Sequence, residues 1–292
     1  MDEKLTVTYA ARILSVLSAA VRHAMGNQAP KVYGWAATLA EKLGAPEPAP
    51  RGWIPSDDQL AKFLDSLQGR QAEHVFKYSL LALNTLARPE ANLELKPDQV
   101  DCEREIITLN PEGRRQTKKR RPVIRLTQTL KPWLEEWETD DDLPYVLFNG
   151  KPIKRVYKTF NRKGVELGFP ELVPYSLRHK MATELRARRV DRDEVSYLLG
   201  HKDAQFKMTE WYESFDPRFL AEAAEGISEY LVHLNKLTDR DLLRPDTPNI
   251  LPNEEIEPED TAFDQLDFFN DFLSLGMVGG TGIEPVTPTM ST

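Results

Sequence analysis

Residues 174–212 read PYSLRHKMATELRARRVDRDEVSYLLGHKDAQFKMTEWY, and the order of side chains in this stretch decides how the rest is read. The run Tyr175–Arg189 predicts one helix and Asp191–Leu199 a second, opened by Asp191 with Glu194 as an N-terminal box. Leu198-Leu-Gly200 is a helix stop that presents His201 at its end. The stretch therefore gathers a guanidinium (Arg178), two imidazoles (His179 and His201) and a phenol (Tyr212). Cations, a proton donor and a nucleophile are what phosphate chemistry needs when nothing else supplies it.

Nothing else in the sequence supplies it. There is no GxxxxGK[ST] loop, no HExxH, no DxDxDG and no GxSxG. The single cysteine, Cys102, excludes an internal disulfide and a cysteine-built zinc site. No metal and no cofactor is expected, so bond energy would have to be conserved covalently.

The segments Pro174-Tyr-Ser-Leu-Arg178-His179, Leu198-Leu-Gly200-His201 and Thr209-Glu-Trp-Tyr212 follow one another as in the tyrosine recombinases, and the chain resembles that family, the phage integrases. Upstream, Ala87-Arg88-Pro89-Glu90-Ala91, followed by Leu93-Glu-Leu and Val100-Asp101, is similar to the segment bearing the family's first arginine. Gln116-Thr-Lys118-Lys119-Arg120-Arg121-Pro-Val is similar to its lysine-bearing hairpin. The resemblance runs from Trp53 to Tyr230. It implies a mainly α fold with a small antiparallel β-sheet (α+β), a recombinase catalytic domain preceded by a partial helical core-binding domain.

The resemblance also implies the chemistry. Tyr212 would attack phosphorus to give a 3′-phosphotyrosyl link, with Arg88 and Arg178 stabilising charge on the non-bridging oxygens. Lys118, with Lys119 as rival, would protonate the leaving 5′-oxygen. His201 would hydrogen-bond the phosphate or assist proton transfer, with Glu90 and His179 in support. Tyr175 stands where the family usually has histidine, three residues before the second arginine. The implied activity is site-specific recombination of double-stranded DNA for integration or excision of a mobile element. The same residues would serve strand relaxation of the type IB topoisomerase kind, and Tyr175 with a short N-terminal domain also fits a silent DNA-binding remnant. Family members assemble as tetramers on DNA, and a homotetramer through the C-terminal region is the expectation here.

Charge distribution fits a DNA partner despite a net charge of −8. Residues 251–292 hold nine acids and no Lys or Arg, which leaves residues 1–250 at +1. Within that body Arg114, Arg115, Lys118, Lys119, Arg120 and Arg121 form one dense basic block. A second includes Lys154 and Arg155. Phosphates respond to local charge, and a tail beyond a Debye length of about 10 Å does not cancel it. Arg114, Arg115, Lys119, Arg120, Arg121, Lys154 and Arg155 are accordingly the candidate DNA contacts.

Proline-rich Ala45–Pro55 marks a boundary. Residues 1–50 read as the last part of a helical clamp domain with its linker, 51–235 as the catalytic domain and 236–292 as an acidic tail. A helical period covers residues 8–26. Ser56-Asp-Asp-Gln59 is a capping box opening a helix to about Gln68, and a second helix spans about Gln71–Leu86. Glu105–Leu109 and Pro122–Leu126 predict a hairpin with the basic block at its tip. Thr127 is expected to cap a helix through Trp137, Ile153–Leu167 to form another, and Asp216-Pro217 to open a last one. The N-terminus has no uninterrupted apolar run and no stretch reaches the roughly 18 apolar residues of a membrane span, so a cytoplasmic, nucleoid-associated prokaryotic protein is expected. Gly282-Ile-Glu-Pro285 can be encoded by codons whose reverse complement has the form of a tRNA T-arm, which suggests a reading frame running through an attachment site.

Overall fold

The computed structural model describes residues 7–26, 53–117, 119–137, 139–201 and 217–244. Lys118, Tyr212, Asp216 and the acidic tail lie outside them. The described residues fall in two compact units, divided between Arg51 and Gly52. The first contributes helix α1 (Val7–Met25), on which Ile13, Val16 and Leu17 are exposed.

The second unit is mainly helical. Its helices are α2 (Asp57–Asp65), α3 (Glu73–Thr85), α4 (Pro89–Leu93), α5 (Lys131–Glu136), α6 (Tyr157–Glu166), α7 (Pro174–Ala187), α8 (Arg192–Leu198) and α9 (Ala221–Asn235). Strands β1 (Val100–Asp101), β2 (Ile106–Thr108) and β3 (Val123–Arg125) make one antiparallel sheet, and β4 (Leu147–Phe148) pairs with β5 (Lys151–Pro152) in another. A 3₁₀ turn, Pro217–Leu220, leads into α9.

Helix α3 is the centre. Every residue in it except Glu73 and Lys77 is buried, and α7 and α9 pack against it. A helix buried on nearly every side belongs inside a fold. Its Ser79, Asn84 and Thr85 side chains are hydrogen-bonded, whereas His74 Nδ1 is buried without a hydrogen-bond partner among the described residues. Asn84 Nδ2 donates to the Leu80 carbonyl at 2.8 Å, and its Oδ1 accepts from the hydroxyls of Thr127 and Thr129. In the sheet, Ile107 and Ile124 face each other and are buried, whereas their strand neighbours are half-exposed, the alternation a pleated strand imposes.

The capping box at Ser56 forms as expected: Ser56 Oγ accepts from the Gln59 amide, and Gln59 Oε1 accepts from the Ser56 amide. Four expectations need correction. Helix α2 ends at Asp65, short of Gln68. Val100–Asp101 adds a third strand to the predicted hairpin, pairing with Ile107 and Ile106. Thr127 does not cap a helix, because its hydroxyl is drawn to Asn84, and α5 starts four residues later at Lys131. The helix expected from Ile153 starts at Tyr157, after a small hairpin turning on Asn149-Gly150. Both turn residues have positive φ, 50° and 73°, the backbone that Asn-Gly adopts at least cost.

Two devices hold the C-terminal part in place. Asp57 accepts from Lys180 at 2.8 Å and from the Tyr230 hydroxyl at 2.9 Å, tying α2, α7 and α9 together. Beyond α9, the chain crosses back to the start of α3. Asp65 accepts the amides of Asp239 and Arg240, Trp133 Nε1 donates to the Leu242 carbonyl at 2.8 Å, and the Arg240 guanidinium lies 3.3 Å from the Phe76 ring centroid. This strap borders an open cleft of about 520 Å³ lined by Glu73, Lys77, Trp133, Trp137, Arg240 and Arg244. Among the described residues, no helix is long and apolar enough to cross a membrane.

Candidate active site

The site begins at the turn after α3. Leu86 ends that helix in the left-handed conformation, with φ 51°. Pro89 restricts the preceding residue to extended backbone, and Arg88 sits there at φ −65°, ψ 150° as the N-cap of α4. The turn is fastened from below: Thr85 Oγ1 bonds Asn92 Oδ1 at 2.8 Å and accepts the Ala87 amide at 3.1 Å. Arg88 is thus presented half-buried at a fixed point.

Arg178, in the first half of α7, is 4% exposed. Its Nη1 donates to the Leu86 carbonyl and its Nη2 to the Leu199 carbonyl at 2.6 Å. These carbonyls terminate α3 and α8, and the negative ends of two helix dipoles suit a buried cation. Burial, and then the charge of Arg88, pull the Arg178 guanidinium down to about 9. Burial also lowers Arg88, against the opposing pull of Tyr175 and Glu90.

Helix α8 delivers the third member. Asp191 caps it by accepting the Asp193 amide at 2.7 Å. Gly200 follows at φ +61°, and a Cβ there would lie 2.5 Å from the Arg120 carbonyl oxygen and 3.4 Å from Arg88 Nη1. Only glycine permits both the backbone conformation and that approach. His201 comes next, its amide donating to the Ser196 carbonyl. Burial, with Arg178 and Arg88 nearby, lowers the His201 imidazole to about 4. His179 is lowered to about 4 as well, by burial and then Arg178. Tyr175 lies one turn before His179, their rings 6.5 Å apart and edge-on. Burial and then Glu90 raise its phenol while the two arginines oppose them, so it faces the site protonated.

The basic hairpin closes the remaining side. Arg88 Nη1 donates to the Arg120 carbonyl at 3.1 Å, and the Arg120 guanidinium lies 5.0 Å from the Tyr197 ring centroid. Gln116 clasps the loop, donating to the Arg121 carbonyl and accepting the Arg121 amide. Arg121 pairs with Glu94 at 2.7 Å. Arg88, Arg114, Lys119, Arg120, Arg121 and Arg178 all border one cavity of about 310 Å³, with Glu90 and Glu94 as its acids.

The structure therefore brings Arg88, Arg178, Tyr175, His179, His201 and the hairpin cations Arg114, Lys119, Arg120 and Arg121 into one neighbourhood, with Glu90 exposed at its edge. Arg115 is exposed on the hairpin, and Lys154 and Arg155 are exposed before α6, apart from the cavity. Lys118 and Tyr212 lie outside the described residues. Sequence reading did not single out Gln116 or Glu94, and it placed Glu194 in the box at the start of α8. The Glu194 carboxylate instead accepts the Ala223 amide of α9 at 2.8 Å. Among the described residues, no cluster of His, Cys, Asp and Glu could hold a metal ion.

The model of the phage integrase family matches residues 56–217, and the protein belongs to that family. Solved structures agree in fold. The Tn1549 transposon integrase in complex with transposon right-end DNA is 16% identical, with a TM-score of 0.55 over 76% of this chain and 79% of that one. The same integrase with circular intermediate DNA is 17% identical, with a TM-score of 0.52 over 76% and 80%. A lambda integrase dimer bound to a COC′ core site is 18% identical, with a TM-score of 0.50 over 73% and 74%. No curated protein matches the chain.

Proposed function

We propose that the protein is a site-specific DNA recombinase that cuts and rejoins double-stranded DNA through a 3′-phosphotyrosyl intermediate on Tyr212, in the integration or excision of a mobile element. One observation carries this reading: Arg88 and Arg178, the two arginines of the family signature, share a cavity with four hairpin cations. That is a cradle for a phosphodiester. Both guanidiniums are anchored on backbone carbonyls, so little reorganisation is needed as charge grows on the non-bridging oxygens.

In the reaction, Tyr212 Oη forms a bond to phosphorus while the bond to the 5′-oxygen breaks. Lys118 gives that oxygen its proton. His201, neutral above about pH 4, hydrogen-bonds the phosphate or takes the phenolic proton. Tyr175 donates a hydrogen bond in the place of an imidazole. Attack by another strand's 5′-hydroxyl reverses the steps and rejoins the DNA. From the codons possible at Gly282–Pro285 we further propose an attachment site within a tRNA gene; sequencing the junction tests that point, and no tRNA 3′ segment there would overturn it.

The test uses nicked duplexes tiled across the DNA flanking the protein's own gene. A covalent protein–DNA adduct is expected on at least one of them, abolished in Tyr212→Phe with binding retained. Binding without adduct on every duplex overturns the reading in favour of a silent DNA-binding protein.

A further inference from the structure

The nucleophile assigned above lies between two described anchors, His201 at the end of α8 and the turn Pro217–Leu220 that opens α9. What fixes the second anchor to the first is visible in the side chains. Among the described residues, helix α9 has no side-chain cap of its own: its N-cap residue is Leu220, and no side chain there accepts a hydrogen bond. The cap comes from α8. Glu194, 8% exposed, reaches across to accept the Ala223 amide at 2.8 Å, placing a carboxylate at the positive end of α9. One turn further along α8, on the same face, Tyr197 meets Phe219 of the 3₁₀ turn edge-on, with 5.7 Å between ring centroids. The same Tyr197 ring carries the Arg120 guanidinium at 5.0 Å. The 3₁₀ turn also packs against β3, the hairpin's second strand.

We infer that Glu194 and Tyr197 are positioning residues for strand cleavage, clasping the chain after Tyr212 to the helix that carries His201 and, through Arg120, to the lysine-bearing hairpin. Neither borders the cavity of the two arginines. Their effect is on alignment. An attacking oxygen must lie in line with the leaving group, and a misplacement near 1 Å can slow a reaction by about 10²-fold. The inference rests on the recombinase reading and deepens it.

The experiment compares full-length Glu194→Ala, Glu194→Gln, Tyr197→Leu and Tyr197→Phe on the nicked duplex that gives the highest wild-type adduct yield. Affinity for the uncleaved duplex and the single-turnover rate of adduct formation are measured separately. Glu194→Ala and Tyr197→Leu are expected to bind within about twofold of wild type but to cleave about 10- to 10²-fold more slowly. Glu194→Gln keeps an acceptor for Ala223 and Tyr197→Phe keeps the ring, so both should recover most of the rate. Hydrogen peroxide, supplied as a small nucleophile in a Tyr212→Phe background, should cleave equally well with and without Glu194→Ala, because the arginine cradle is intact. Wild-type rates in both Glu194→Ala and Tyr197→Leu overturn the inference. So does a loss that follows binding or that the conservative variants fail to restore. Should Glu194→Ala prove unfolded by its melting curve, the Tyr197 pair decides alone. Failure of wild-type protein to form any adduct would instead overturn the recombinase reading, so the two failures are told apart.

Discussion

At the scale of single residues, the site is built by satisfying buried charge with backbone. Arg178 is held because two helices end beside it, and Gly200 fits because it has no side chain. Replacing Gly200 with alanine would force φ +61° on a residue with a Cβ and drive that carbon to 2.5 Å from the Arg120 carbonyl. A loss of about 1–3 kcal/mol in denaturant unfolding is expected, together with slower adduct formation as the hairpin shifts. The two histidines give a pH signature. Both have imidazoles near 4 in the folded protein against an ordinary value of 6.5. Below 6.5 the unfolded chain takes up protons that the folded one resists. Stability from this source is therefore complete above pH 6.5 and lost as the pH falls towards 4. Melting curves across that window should show the decline, and His179→Gln or His201→Gln should each flatten it.

At the scale of elements, the basic loop of the hairpin is held by a side chain of its own. Gln116 makes two hydrogen bonds to Arg121 from a largely exposed position, and it brackets Lys118 and Lys119. Gln116→Ala is expected to leave global stability within about 0.5 kcal/mol while slowing adduct formation several-fold. An unchanged rate would show that the loop needs no such clasp. Elements also show what was legible in the sequence. The helices α2, α3, α7 and α8 were readable because caps and apolar spacing are local signals, as Ser56–Gln59 illustrates. Thr127 misled because a cap and a tertiary hydrogen bond to Asn84, 43 residues away, look alike in a sequence. The β4–β5 hairpin was missed although Asn149-Gly150 announced it, because two-residue strands leave no periodicity to find. Arg88, Arg178, His201 and the hairpin cations could be singled out as candidates by order along the chain, and the fold brings them near one another. The anchors of Arg178 are carbonyls, which no side-chain pattern reports, and the partner of Glu194 lies 29 residues on.

At the scale of the whole molecule, charge is segregated: an acidic stretch follows residue 250, and the cationic cavity lies within a body of opposite balance. If a homotetramer forms through the C-terminal region, deleting residues 255–292 is expected to weaken higher-order assembly on DNA more than binding to a single site. Analytical ultracentrifugation with and without duplex measures the first, and a fluorescence titration the second. Equal losses in both would refute the assignment of the tail to assembly. The body itself should show strongly salt-dependent binding. Neutralising six phosphates gives a slope of about −5 in log affinity against log salt, and removing the tail should leave that slope unchanged.

The strap after α9 has one practical consequence. It fastens Arg244 beside the N-terminal end of α3, whereas Arg88 lies just beyond the other end of that helix. Thirteen residues at 1.5 Å each put about 20 Å between the two. A dye carried on Arg244→Cys, with Cys102→Ser removing the native thiol, would report by energy transfer when a labelled duplex is seated. It would do so from a point that the chemistry does not touch.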